Sequence, residues 1–350
     1  MNIVTVEPHV DPLWSKLVCR QRSDVFQSPA WIRVLKDTYD FDIQALVVLD
    51  DADSAAAEPR AGIAFASIDD MMDPRIVSLP FSDFCDPLVQ DQGDWDAVVG
   101  RLLANEHRLS LRCLHNQIPL DDERLTQANR AKWHAVDLRR DVDDIWQDLH
   151  GSARRAIRKA RRNVTVRRAQ HKGDLRAFFE LHLGLRKYKY ELLAQPYRFF
   201  EHIWDHFIAK DKGALMLAVH ESHIIAGVLF LEWQDKLYYK FNASAPESVS
   251  LRPNDLIVWE GIKYGQRKGY EYLDFGLSDW DQEGLLRYKR KFATEEKTIS
   301  FLTYTPGGSP SQEERQMRAL LPQITDLFVD ETVPDCITER AGEVLYRFFT

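Results

Sequence analysis

The residues best suited to chemistry lie between Lys236 and Lys291. The segment Lys236–Ala243 (KLYYKFNA) alternates with the period of two that a strand imposes, so Tyr238, Lys240 and Asn242 share one face and Leu237, Tyr239 and Phe241 the other. Hydroxyls and a carboxamide on such a strand suit the handling of a carbonyl, although tyrosines on a half-buried strand also serve plain packing. The loop Ser244–Pro253 follows, and Asn254 then opens the helix NDLIVWEGIKYGQRKG. A helix start offers unpaired amides and a positive dipole, a ready seat for phosphate, and Asn254 is also a residue type that caps such a start. YEYLDFG (Tyr270–Gly276) reads as a buried strand. Asp274 and Ser278 fall at or just past its C-terminal end, where α/β folds gather their ligands. A buried Asp274 needs a cation, and Lys289 in the basic turn that also holds Arg287, Arg290 and Lys291 is the candidate.

A second concentration of charge precedes these elements. Residues 151–172 contain nine Lys/Arg and no Asp/Glu, against a net charge of −8 for the chain. In ARRAIRKARRNVTVRR only Ala153, Ala156, Ile157 and Ala160 form an apolar strip, and Arg154, Arg155, Arg158, Lys159 and Arg162 spread over the remaining faces. A solvated surface helix accounts for this pattern, as does phosphate contact with RNA, which needs charge but no sequence reading. No RNA-recognition signature stands beside it.

Other chemistries are absent from the pattern. His202 and His206 have i, i+4 spacing without the glutamate of a zinc-protease helix, so no metal site is expected. There is no Gly-x-Ser-x-Gly elbow and no phosphate-binding Walker loop. Cys19, Cys85, Cys113 and Cys336 are far apart, as free thiols in a reducing cytoplasm would be. No apolar run reaches the ~20 residues needed to span a bilayer, and the N-terminal residues do not resemble a secretory signal.

With 350 residues, 45% apolar and 29% charged, the chain is large enough for two domains with buried cores. In the first half, Ser28 and Pro29 start a helix, strands fall at Ile43–Leu49, Ala61–Ile68, Ile76–Leu79, Leu109–Leu114 and Trp133–Asp137, and a helix at Trp95–Glu106. Asp50–Gly62 reads as a hairpin loop. The second half runs helix Ser152–Arg162, strand Val164–Arg168, a helix capped by Asp174, a helix over Tyr197–Lys210, three strands (Ala214–His220, Ile224–Leu231, Lys236–Asn242), helix Asn254–Lys268, and strands Tyr272–Phe275 and Thr298–Tyr304. In the helix after Asp174, Leu175, Phe178, Phe179, His182 and Leu185 mark one face. Gly307–Pro310 closes this unit, with helices expected over Gln312–Phe328 and Thr338–Phe349.

FQSPAW, LPFSDFCDPL, RRAIRKARRN, IIAGVLFL, KFNAS, RPNDLIVWEGI, YLDFGLSD and GLLRYKRKF occur in the order seen in Fem-like proteins. Over roughly Phe26 to Tyr304 the chain resembles the FemABX peptidyltransferases and the BioF2-like acetyltransferase group of the GNAT superfamily. The resemblance implies α/β mixed sheets in tandem GNAT-like domains, 1–145 and 146–305, with a C-terminal helical tail, 306–350. It implies that strand Lys236–Asn242 splays from its neighbour, freeing amides at Tyr239–Asn242 to stabilise an oxyanion. It also implies transfer of an amino acid from aminoacyl-tRNA to the amine of a peptide or metabolite, with neither metal nor bound CoA. Tyr239, Asn242 and Lys289 then serve the transfer, and Arg186, Tyr238, Asp274, Ser278 and Arg287 hold substrate, Arg186 by matching a family arginine that contacts phosphate. The cations of 154–162 face tRNA. Glu247 and bulky residues replace the glycines that let CoA's pyrophosphate sit on bare amides, which agrees with that donor. The chain departs from muropeptide-binding members at Leu35, where they have lysine, and at Ala293, where glycine is usual. It has no coiled-coil arm, and no acidic match near Arg112–Asn116. Acyl-CoA-dependent N-acyl transfer, or non-catalytic tRNA or phosphate binding, are the competing readings.

Overall fold

The computed structural model describes residues 2–50, 58–307 and 311–350. After strand β1 (Asn2–Val6), Asp11 caps helix α1 (Pro12–Arg20) by accepting from the Leu13 amide at 2.8 Å. Ser28 caps α2 (Pro29–Tyr39) as its sequence predicts, accepting from Trp31 N at 3.1 Å with Pro29 in the first turn. Strands β2 (Asp42–Leu49), β3 (Pro59–Ile68) and β4 (Arg75–Val77), helix α3 (Gln92–Leu103) and strand β5 (Arg108–Cys113) follow. Next come β6 (Thr126–Asp137), α4 (Val142–Asp148), the basic helix α5 (Gly151–Ala160), β7 (Thr165–Arg168), α6 (Lys172–Gly184) and α7 (Tyr197–His206). Strands β8 (Gly213–His220), β9 (His223–Trp233) and β10 (Lys236–Ser244) form a meander. Then come α8 (Pro253–Lys268), β11 (Tyr272–Asp279), α9 (Glu283–Lys289), β12 (Glu295–Tyr304), α10 (Gln312–Val329) and α11 (Asp335–Leu345).

Two units divide these elements, residues 1–132, 297–320 and 350 in the first and residues 133–296 and 321–349 in the second. The boundaries expected at 145/146 and 305/306 therefore fall elsewhere: the chain changes unit within β6 and returns within β12. In the first unit β1 to β5 lie side by side in order, and β12 pairs antiparallel with β5 from Ser300↔Cys113 to Tyr304↔Leu109. Its core joins Leu46, Ile63, Phe65, Leu109 and Leu302 to Trp95, Val98 and Leu102 of α3.

In the second unit the strand order is β11-β10-β9-β8-β7. Alternation along β9 assigns the helices. Phe230 meets α8, where a Cβ on Gly261 would come 2.5 Å from the Phe230 ring, so this crossing admits only glycine. Gly227, one strand face away, lies under Phe178 of α6. α5 packs its Ala153, Ile157 and Ala160 strip in the same core as α8. The β8–β9 turn has Glu221 at φ 46° and Ser222 at φ 68°, the two positive values of a tight hairpin turn.

Several boundaries differ from the sequence reading. β1, α1 and the first half of β6 were not anticipated, and short polar-edged segments like these give weak periodicity. α6 is capped by His171, whose ring accepts from the Asp174 amide at 3.2 Å, while Asp174 binds Arg167 and the Gln170 amide. α8 begins at Pro253, with Arg252 at φ 61° before it, so Asn254 is inside the first turn and donates instead to Ser244 Oγ at 3.2 Å. β11 runs on to Asp279, carrying Ser278 within the strand. Parts of the expected Asp50–Gly62 loop and Gly307–Pro310 segment lie outside the described residues.

Candidate functional site

The parallel register of β10 and β11 runs from Lys236↔Tyr272 to Tyr238↔Asp274 and stops there, although both strands continue. Each strand carries a local cause. In β11 Asp274 Oδ1 accepts from Gly276 N at 2.6 Å, and Gly276 takes φ 64°, a left-handed conformation that turns the strand away. In β10 a bulge lies between Tyr239, opposite Phe230, and Phe241, opposite Leu229, so Lys240 is the extra residue. The opening past Tyr238 is the divergence that the resemblance implies for this pair.

The bulge also corrects the face assignment. Tyr239 and Phe241 do not share a face, because one inserted residue reverses the alternation. Tyr239 packs on Phe230 and Phe275, with ring centroids 6.0 and 5.4 Å away, on the α8 side. Phe241 packs on His182, Phe199 and Phe200 from α6 and α7, at 6.0, 5.8 and 5.2 Å. Asn242, opposite Val228, and Ser244, opposite Ala226, thereby join Tyr239 on the α8 face. Tyr238 is buried on the other side.

Lys289 lies inside the fold. It is 3% exposed and donates to the carbonyls of Gly276 at 3.1 Å and Leu277 at 2.7 Å, bracing the turned end of β11. Asp274 and Ser278 are buried beside it, and Ser278 Oγ has no hydrogen-bond partner. Arg287 is exposed and lines a cavity of about 460 Å³ with His150, Ser152, Glu283, Arg290 and Lys291. Arg186 sits on a π-helical turn, Leu185–Lys189, and its Nε donates to Leu193 O at 3.0 Å, tying that turn to the following loop. The predicted residues thus divide between the opening (Tyr239, Asn242), its buried floor (Tyr238, Asp274, Ser278, Lys289) and its surroundings (Arg186, Arg287).

Pro246 and Pro253 have no amide hydrogen, and the residues between coil into a 3₁₀ turn whose Ser248 and Arg252 amides bond back to Ala245 and Val249. Asp255, 4% exposed, places a carboxyl in the first helical turn. Burial raises its pKa above the ordinary carboxylate value, while Lys291 and Arg252 pull the other way. Asp255 Oδ1, Asn254 Oδ1, Trp259 Nε1 and the Tyr288 hydroxyl are buried without hydrogen-bond partners. Burial likewise drives the Tyr239 and Tyr288 hydroxyls upward, each repelled further by a negative Asp255.

On α5 the exposed cations stay unpaired. Arg140, Arg167 and Arg168 on either side hold Asp148, Asp174 and Asp211. Arg154, Arg155, Arg158, Lys159 and Arg162 have no acidic partner among the described residues. Arg158 lies over the Trp146 ring, 5.5 Å from its centroid, which fixes one guanidinium without neutralising it. No group of His, Cys, Asp and Glu among the described residues is arranged to hold a metal ion, and the four cysteines are free.

Two features escaped the sequence reading. Asp255 and Tyr288 were within quoted motifs, but only tertiary burial distinguishes them from an ordinary first-turn acid and a packed aromatic. Asp86 of LPFSDFCDPL is the other: its carboxylate accepts the amides of Leu114, His115 and Asn116 at 2.8–3.2 Å, beneath the turn where no acidic match was found. An acid in a Pro-punctuated loop was the available signal.

Residues 147–290 match the family described as an acetyltransferase (GNAT) domain. No curated protein matches. The structure is similar to that of FemX, at 14% identity over 92% of this chain and 100% of the other, with a TM-score of 0.65. It is also similar to L-PGS from Bacillus licheniformis (12% identity, 90% and 97% covered, TM-score 0.54). A tandem GNAT protein from the clavulanic acid biosynthesis pathway gives 10% identity, 88% and 99% coverage and a TM-score of 0.55. No helix among the described residues is long and apolar enough to cross a membrane. Residues 147–290 thus match a GNAT acetyltransferase domain, and the chain has the mixed α/β, tandem GNAT-like fold of these structures with added C-terminal helices.

Proposed function

We propose that the protein transfers an aminoacyl group from aminoacyl-tRNA to the amine of a peptide or small-molecule acceptor, forming an amide. The observation that carries this reading is the α8 tip, where a proline-flanked 3₁₀ turn ties the Ser248 and Arg252 amides back into itself and a buried carboxyl stands in the first helical turn, a poor seat for a coenzyme diphosphate. An ester on a ribose makes no such demand. The unpaired cations of α5 suit the phosphate backbone of tRNA.

In this reading the ester carbonyl lies along Tyr239–Asn242, where β10 leaves the β11 ladder, and main-chain donors stabilise its oxyanion. Asn242, turned toward α8 by the bulge, orients the acyl group. Lys289 fixes the end of β11, and Arg186 and Arg287 receive anionic parts of the substrates. Incubation with a pool of labelled aminoacyl-tRNAs, cell extract and, separately, acyl-CoAs tests the proposal. A new amide-linked amino acid by mass spectrometry is expected. Label moving only from acyl-CoA overturns it. That second reading is favoured by the acetyltransferase description of the 147–290 match. Salt-sensitive tRNA binding with no product from either donor overturns both.

A further inference from the structure

The reaction just proposed needs an acceptor for the proton of the attacking nitrogen, and the α8 tip holds a group built for it. Asp255 is nine-tenths buried, its Oδ1 lacks any hydrogen-bond partner, and it stands in the first turn of a helix tied to the end of β10 through Asn254 Nδ2 and Ser244 Oγ. Lys291 after α9 and Arg252 before α8 favour its anion, and its charge in turn acts on the hydroxyls of Tyr239 from β10 and Tyr288 from α9. Tyr288 also presents a buried hydroxyl with no partner. A buried polar atom left unmatched costs about 1–3 kcal/mol, and Asp255 Oδ1 and the Tyr288 hydroxyl are two such atoms that an incoming group could match.

We propose that Asp255 is the general base of the transfer and that the Tyr288 hydroxyl, unpartnered in this structure, turns to hold its carboxylate during turnover. The acceptor nitrogen attacks the ester carbonyl, forming the C–N bond, and gives its proton to Asp255 Oδ1. The tetrahedral intermediate collapses with cleavage of the C–O bond, and Asp255 returns the proton to the departing ribose oxygen. The acceptor is thereby a neutral or deprotonating amine that reaches the α8 face of β10, where Tyr239, Asn242 and Ser244 are aligned. Burial that weakens the acid form of Asp255 less than its anion makes the carboxylate a stronger base than an exposed one.

This assignment rests on the transfer reading above, and the experiment separates the two. Full-length wild type, Asp255→Asn, Asp255→Glu and Tyr288→Phe are assayed from about pH 5 to 9 with the donor that wild type accepts, aminoacyl-tRNA or acyl-CoA. Failure with aminoacyl-tRNA but turnover with acyl-CoA removes the donor reading and leaves the base testable. Asp255→Asn is expected to lower kcat on the order of 100-fold or more, with the acidic limb of the pH profile lost and binding of an amide-linked aminoacyl-tRNA analogue nearly unchanged. Asp255→Glu restores part of the rate. Asp255→Asn activity within about threefold of wild type, with the limb intact, overturns the assignment. Should Asp255→Asn fail to fold, Tyr288→Phe decides: a displaced acidic limb supports the base, and an unmoved limb overturns it.

Discussion

His182 shows how a single side chain converts burial into pH dependence. It lies among Phe178, Phe200 and Phe241 with Nε2 at 2.9 Å from Gln195 Oε1, and burial lowers its pKa to about 4. Below about pH 6.5 the unfolded chain binds a proton that the folded one refuses, so stability falls as pH drops toward 4. By pH 5 the loss is expected to be about 2 kcal/mol, and His182→Phe, which retains the ring packing, should flatten the melting-temperature profile over that range. Asp86 acts in the opposite sense: burial pushes its carboxyl up to about 7 despite three amides that favour the anion, so its contribution is full below about pH 4 and fades as pH rises. Lys289 shows where residue-level reading stopped. The sequence offered it both as a partner for a buried Asp274 and as a holder of anionic substrate, and the chain directs it inward to the Gly276 and Leu277 carbonyls. Lys289→Met is therefore expected to reduce folding stability by about 1–3 kcal/mol, for the two abandoned acceptors, and to lower transfer with it. Retained stability with lost activity would instead return it to direct substrate contact.

At the scale of elements the strands and helices of the second half were legible, because their alternation, caps and turns agree with one another. The order of β8, β9, β10, α8 and β11 and the opening between β10 and β11 followed from those signals and from the family likeness. The bulge did not. Nothing in KLYYKFNA breaks the period of two, and the reversal at Lys240 arises from pairing with β9, a long-range contact. The charge on α5 was legible because composition alone records it, whereas the pairing of Arg140, Arg167 and Arg168 with Asp148, Asp174 and Asp211 is a tertiary matter. Reversal of the exposed cations (Arg155→Glu with Lys159→Glu and Arg162→Glu) is expected to weaken tRNA binding about tenfold or more near 0.1 M salt and to flatten the dependence of affinity on salt. Circular dichroism should show the helix intact, and unchanged affinity would assign α5 to the solvated surface.

For the whole molecule, sequence reading supplied two units but divided them as though the chain completed one before starting the other. β6 and β12 refute that arrangement, since the first unit takes residues 297–320 as well as 1–132. Composition holds no trace of such a return, because Thr298–Tyr304 reads as a strand whichever sheet it joins. A fragment ending at residue 145 lacks the strand that covers β5, and an uncovered apolar edge invites association. Residues 1–145 expressed alone are expected to aggregate, and the same fragment mixed with a 295–320 peptide should gain solubility and protease resistance. A monomeric, fully protected 1–145 fragment would show that β5 tolerates exposure.

Interleaving also fixes an order of events on the ribosome. When residue 296 emerges, the first unit is still missing its last strand, and Arg108, which ends bonded to Glu314, still waits for its carboxylate. Synthesis must pass residue 314 before Arg108 meets its native carboxylate. A chain stopped before residue 297 lacks the last strand of the first unit and residues 321–349 of the second.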